Sequence, residues 1–298
     1  MKNIFKILVP VGLISLLVWN IAGQWGKLSG YWQNLNITFL TLMFLVMLFI
    51  FPEAAFAWHV ILKKLKTPRN LRRTIYIWIT SNTGRYIPGI VWQYIGRVEL
   101  GTAVAKIPRR VGAISVILEA LFALFAALLV SFLTIPSFFL ERLNNLFWII
   151  PVIFISLFTF QPKILGRVLT LISWITKREI PKIEFKLNFS TVAVLIFLYG
   201  VNLMLNGFAL FLLTQAFGVI DFDIKKLFLF SGFYSLSWIL GYLTLVAPAG
   251  LGVTEVSLAF LLSSQVPLYL AAGIAVVYRF FLTIAEVAVF VFVTKMKK

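Results

Sequence analysis

The stretch Ser81-Asn82-Thr83-Gly84-Arg85-Tyr86-Ile87-Pro88-Gly89-Ile90-Val91-Trp92-Gln93-Tyr94-Ile95-Gly96-Arg97 restricts this chain more than any other. It is apolar enough to enter a membrane, yet it holds two arginines, an asparagine and a Pro-Gly step, which an unbroken spanning helix accommodates poorly. The pattern predicts a helix, a break at bilayer depth and a second helix. Irregular backbone at that depth is tolerated only inside protein or beside a wet cavity, so the functional site is expected here. A second apolar stretch, Leu245 to Glu255, is broken in the same way by Pro248, Gly250 and Gly252. Pro88 to Glu119 and Pro248 to Arg279 are both 31 residues apart, so each break is followed at equal distance by a charge within a long apolar run. Paired interrupted segments in two halves of a chain point to a transporter site.

Composition decides the solvent. Of 298 residues 61% are hydrophobic and 12% charged, and the mean hydropathy is +0.99, which excludes an ordinary soluble domain and leaves a polytopic helical membrane protein. The net charge of +17 would suggest nucleic acid in a soluble protein, but the 27 Lys and Arg sit mainly in loops between apolar runs, so no nucleic-acid partner is expected. With no cysteine and one histidine, His59, neither a disulfide framework nor a Cys- or His-rich metal site can form, and no cofactor is expected. His59 reads as an interfacial or packed residue.

Apolar runs at 4–22, 37–62, 111–135, 146–160, 189–217 and 268–294 read as spans. Residues 163–178 fit an interfacial amphipathic helix or a prolonged span. The positive-inside rule then places 20 cations inside, four outside and three in the membrane (Arg85, Arg97, Arg279), with both termini cytoplasmic in the plasma (inner) membrane. Basic clusters flank 74–105 on one side, so this stretch is expected to leave and return on one face as a re-entrant hairpin or two short tilted helices. Residues 225–265 are expected to do the same from the other face. The fold class expected is an all-α polytopic membrane protein, an inverted repeat in which each half has three spanning helices and one re-entrant, broken hairpin. One integral membrane domain covers 1–298, with halves at 1–135 and 136–298.

At these stretches the chain resembles the lysylphosphatidylglycerol synthase transmembrane family. The residues that carry the likeness are Gly84-Arg85-Tyr86-Ile87-Pro88-Gly89, Trp92-Gln93, Arg97, Glu119, Pro248-Ala249-Gly250-Leu251-Gly252-Val253, Glu255 and Arg279. The resemblance implies a flippase-like domain that moves a phospholipid headgroup between leaflets. Ile90 stands where a basic residue often follows Pro-Gly, Ala249 where glycine is usual, and Thr254 where a basic residue often precedes the glutamate. These departures bear on cargo more than on fold. The sequence ends at Lys298, directly after its last span, so an aminoacyl-transferring domain and synthase activity are not expected.

The substrate-binding residues expected are Asn82, Arg85, Pro88, Gly89, Trp92, Gln93, Arg97, Glu119, Pro248, Gly250, Gly252, Glu255, Arg279 and Glu286; none is expected to be catalytic. Helix N-termini near Gly89 and Leu251 favour an anion such as a lipid phosphate, and guanidinium groups grip phosphate with parallel hydrogen bonds. Glu119, Glu255 and Glu286 would be costly in the bilayer unless paired or hydrated. Arg279 and Glu286 are too far apart on one helix to pair directly, and Arg97 with Glu119 is a plausible pair across helices. Two readings stay open for these charges: a wet headgroup cavity, or an ion-pair network that holds the hairpins. Glu53, beside Pro52, lines the same cavity or sits near the inner interface. The partners expected are membrane lipids with anionic or phosphate-bearing headgroups, with a second copy or another membrane protein left open. An intramembrane enzyme acting on a lipid-linked phosphate or sugar and a non-transporting assembly subunit are the alternatives. No nucleotide-binding GxxxxGK[ST] motif occurs.

Overall fold

The computed structural model describes residues 30–31, 35–67, 70–87, 91–135, 188–244 and 247–295. The expected spans at 4–22 and 146–160, the 163–178 segment, Pro88 and Gly89 lie outside the described residues. Among the described residues the chain forms eight α-helices and no strand. They are α1 (Ile37–Lys64), α2 (Leu71–Asn82), α3 (Trp92–Ala105), α4 (Arg109–Thr134), α5 (Phe189–Ala216), α6 (Ile224–Leu243), α7 (Val253–Leu262) and α8 (Leu268–Lys295). Short 3-10 turns at Thr83–Tyr86 and Pro248–Gly250 interrupt them. The order longer helix, shorter helix, 3-10 turn, shorter helix, longer helix therefore occurs twice.

Four helices, α1, α4, α5 and α8, are long and apolar enough to cross a membrane. At ~1.5 Å rise per residue, the 28 residues of α1, α5 or α8 extend about 42 Å, beyond the ~30 Å of a hydrocarbon core. Their starts are set locally. Asn36 caps α1 by accepting from Thr38 N at 3.0 Å, Asn70 caps α2 through Arg73 N at 3.1 Å, and Asn188 caps α5 through Thr191 N at 3.2 Å. Lys63 and Lys64 close α1, where a cation complements the helix dipole.

The two short pairs differ. Helices α2 and α3, of 12 and 14 residues, fold back on one another, and Arg97 Nε donates to Ser81 Oγ at 3.0 Å. In the second pair α7 has 10 residues but α6 has 20, about 30 Å, so the two arms are unequal. Small residues let α6 pack closely: a Cβ on Gly207 of α5 would fall 2.2 Å from Ser231 Cα of α6, a backbone approach that only glycine allows.

The two 3-10 turns touch each other, so breaks about 160 residues apart in sequence meet at the centre of the fold. The second break is built from left-handed backbone: Ala249 at φ 52°, Gly250 at φ 67° and Gly252 at φ 82°. Glycine adopts this region freely, whereas a Cβ is penalised there by about 1–2 kcal/mol. Ala249→Gly is therefore expected to stabilise the protein by about 1 kcal/mol, read as a raised unfolding temperature in detergent.

Candidate functional site

A cavity of about 200 Å³ lies where the breaks meet, and every described helix and both turns contribute to its wall. Its charged lining is Arg85, Arg97, Glu119, Glu255 and Arg279. Each guanidinium stands against a carboxylate. Arg85 in the first turn pairs with Glu286 of α8, which also accepts from Asn82 Nδ2 at 2.7 Å and from Tyr86 OH at 2.6 Å. Arg97 of α3 pairs with Glu119 of α4. Arg279 of α8 lies 3.4 Å from Glu255 of α7, and its Nη2 donates to the Ala249 carbonyl at 3.1 Å.

Two of these pairs occupy corresponding places in the repeated order with their signs exchanged. The first half carries arginine on the second short helix and glutamate on the long helix after it; the second half carries glutamate on α7 and arginine on α8. The equal 31-residue spacing from each proline thus leads to partners of opposite charge.

The three arginines are not equivalent. The Arg97 side chain is 1% exposed and lies between the rings of Trp58 and Trp78, at 5.5 and 4.8 Å from their centroids, while its partner Glu119 accepts from Trp78 Nε1 at 2.7 Å. A charge so enclosed holds α2, α3 and α4 together. The side chains of Arg85 and Arg279 keep 21% and 15% exposure and turn part of their donors to the cavity.

The start of α7 departs from the sequence expectation. Glu255 Oε2 accepts from Gly252 N at 2.5 Å, so the chain's own carboxylate takes the anion position at this helix N-terminus. The cavity's arginines thus stand already neutralised, and this helix start is already capped.

Of the expected site residues, Asn82, Arg85, Gln93, Arg97, Glu119, Gly250, Glu255 and Arg279 line the cavity. Glu286 stands behind it, holding Arg85. Gly252 and Pro248 shape the second break without lining the cavity, and Trp92 is 47% exposed on the outside of α3. Pro88 and Gly89 lie outside the described residues. Tyr199, Asn202 and Asn206 of α5 share one face at i, i+3 and i+7, and all three line the cavity, while the two asparagines also bond between helices. Asn202 Nδ2 donates to Glu53 Oε2 at 2.6 Å and to the Ile50 carbonyl at 2.9 Å, and Tyr278 OH donates to Asn206 Oδ1 at 3.0 Å. His59 is packed, with Nδ1 3.1 Å from Thr74 Oγ1.

Sequence reasoning did not single out the aromatic wall: Trp78, Tyr94, Tyr234, Trp238, Tyr242 and Tyr278. The hydroxyls of Tyr94 and Tyr242 are 2.6 Å apart and join α3 to α6 across the cavity. The i, i+4, i+8 spacing of Tyr234, Trp238 and Tyr242 was the available signal.

A comparison with curated proteins gives no match. The family model described as the lysylphosphatidylglycerol synthase TM region matches residues 3–289, nearly the whole chain, including both breaks and all three cavity arginines. The protein therefore belongs to the lysylphosphatidylglycerol synthase transmembrane region family.

Proposed function

We propose that the protein is a carrier rather than an enzyme, and that it moves a phosphate-bearing phospholipid headgroup between leaflets through the central cavity. The observation that carries this reading is the pair of partly open guanidiniums, Arg85 and Arg279, at the point where the two helix breaks touch. A guanidinium holds phosphate by two parallel hydrogen bonds, and a water-filled site inside the bilayer lets a headgroup cross without meeting hydrocarbon. The acyl chains stay in lipid.

Because each cavity arginine has a carboxylate partner, the site is dipolar rather than cationic. A phosphate that takes an arginine leaves a buried carboxylate unpaired, which is costly unless the same headgroup supplies a cation. The cargo that fits best carries a phosphate together with an ammonium group. The repeated element order and the charge-exchanged pairs support an inverted repeat whose halves open the cavity in turn, with the broken pairs re-entering from opposite faces. We place the protein in the plasma membrane with both ends of the chain cytoplasmic, as the 20 to 4 split of loop cations favours.

Reconstituted vesicles test the reading. Lipids with an acyl-chain fluorophore and one of three headgroups, phosphatidylethanolamine, phosphatidylglycerol or a phosphate-free glycolipid, are followed by quenching from outside. Phosphatidylethanolamine should cross fastest and the glycolipid no faster than in empty vesicles. Equal rates with and without protein for all three would remove the carrier reading.

A further inference from the structure

Among the described residues four carboxylates are buried: Glu53, Glu119, Glu255 and Glu286. The last three face arginines. Glu53 of α1 is 8% exposed and has no cation beside it among the described residues. Its Oε2 accepts from Asn202 Nδ2, and its Oε1 is buried with no hydrogen-bond partner. Asn202 lines the cavity, as do Ile50, Phe51 and Ala54 on either side of Glu53, so this carboxyl group sits just behind the cavity wall.

Helices α2, α4, α5 and α8 pack against α1. The titratable and charged groups on them are Arg72, Arg73 and Tyr76 of α2, Arg109, Arg110 and Glu119 of α4, Tyr199 of α5, and Tyr269, Tyr278, Arg279, Glu286 and Lys295 of α8. Arg72 and Arg73 are exposed at the start of α2; Glu119, Arg279 and Glu286 are engaged in their own pairs. Tyr199 lies within electrostatic reach of Glu53, and His59 on α1 itself is engaged with Thr74. None of them neutralises Glu53.

We propose that Glu53 is a proton-carrying site and that headgroup movement is coupled to protons through it, an inference that rests on the carrier reading above. An ionised carboxylate enclosed this way is costly by itself, so the ionised form favours a state in which water or the ammonium of the cargo reaches it. Binding one proton at Oε1 makes the group neutral and permits the enclosed state; releasing that proton to water on the other side resets it. Protonation thereby biases which arrangement of the two halves is populated. The cavity in front of Glu53 is large enough to hold several waters, which can take the proton when the carboxyl group turns toward it. A metal cation is the poorer occupant: both hydrogens of the Asn202 amide already point at oxygens, one of them Glu53 Oε2, so the carboxylate faces a donor rather than an oxygen shell.

The test uses the full chain in vesicles with acyl-labelled phosphatidylethanolamine and an imposed pH gradient. Reversing the gradient should change the wild-type rate severalfold, and Glu53→Gln, which keeps an acceptor for Asn202 but no ionisable group, should move lipid at a rate indifferent to the gradient while unfolding at the wild-type temperature. Infrared difference spectra between acid and alkaline buffer should show a titrating carboxylic-acid band that Glu53→Gln lacks. A wild-type rate indifferent to the gradient, a Glu53→Gln rate that still follows it, or an unchanged infrared band would overturn the proposal. If Glu53→Gln does not accumulate, a pH dye trapped in wild-type vesicles decides: lipid crossing with no proton movement overturns it. Absence of lipid movement by the wild type under every gradient would sink the carrier reading and the coupling with it, and the infrared band would then report separately whether Glu53 takes up a proton.

Discussion

Arg97→Ala is expected to destabilise the protein by about 3–5 kcal/mol, because it leaves Glu119 buried without its cation. Glu119 would keep only the Trp78 indole as a donor, and the space between Trp58 and Trp78 would empty. The double replacement Arg97→Met with Glu119→Leu should recover most of that loss, since it removes both charges and fills the space with apolar groups. Thermal unfolding of the single and double variants in one detergent measures both. A single variant as stable as the wild type would mean that the pair is solvated and that α2, α3 and α4 are held by packing alone.

A second large effect is expected in transport. Arg85→Ala and Arg279→Ala each remove a guanidinium that is partly open to the cavity, and each should slow lipid movement by about 10- to 100-fold, the worth of a charge-assisted hydrogen bond to phosphate. Arg109→Ala is the control. Arg109 pairs with Glu99 at 2.9 Å on the surface, with side chains 68% and 52% exposed, and such pairs contribute little. Slowed transport in folded Arg85 and Arg279 variants, with Arg109→Ala unaffected, separates cargo binding from a purely structural network. Variants that lose fold and transport together would favour the network.

The breaks and their charges were legible in the sequence because arginine, glutamate and Pro-Gly inside apolar runs are anomalous wherever they occur, and lipid offers them nothing. The pair Arg97 with Glu119 was legible as well, both residues lying within one broken segment and the helix after it. Arg85 with Glu286 was not, because its partners are about 200 residues apart and only the meeting of the two breaks brings them together. The aromatic wall was hidden by abundance. In a chain with 16% Phe, Trp and Tyr, a ring at helical spacing reads the same whether it faces lipid or a cavity. The length of α6 was masked by Lys225, Lys226 and its serines and glycines, which interrupt the apolar signal although the helix continues through them. Glu53 stood between two readings because sequence places it beside Pro52 on a spanning helix but does not say which face turns toward Asn202.

Chemical access to the two halves of the cavity is the most direct test of whether this is the path of the cargo. The chain has no cysteine, so Gln93→Cys on α3 and Thr254→Cys on α7 each introduce one thiol in the wall, one beside each break. If the cavity is water-filled and opens alternately, both thiols should react with a small charged reagent, from opposite faces of sealed vesicles, and phosphatidylethanolamine should slow both reactions. Two thiols that stay inert in folded, transporting protein, or that react at rates untouched by lipid, would contradict a headgroup path between the breaks.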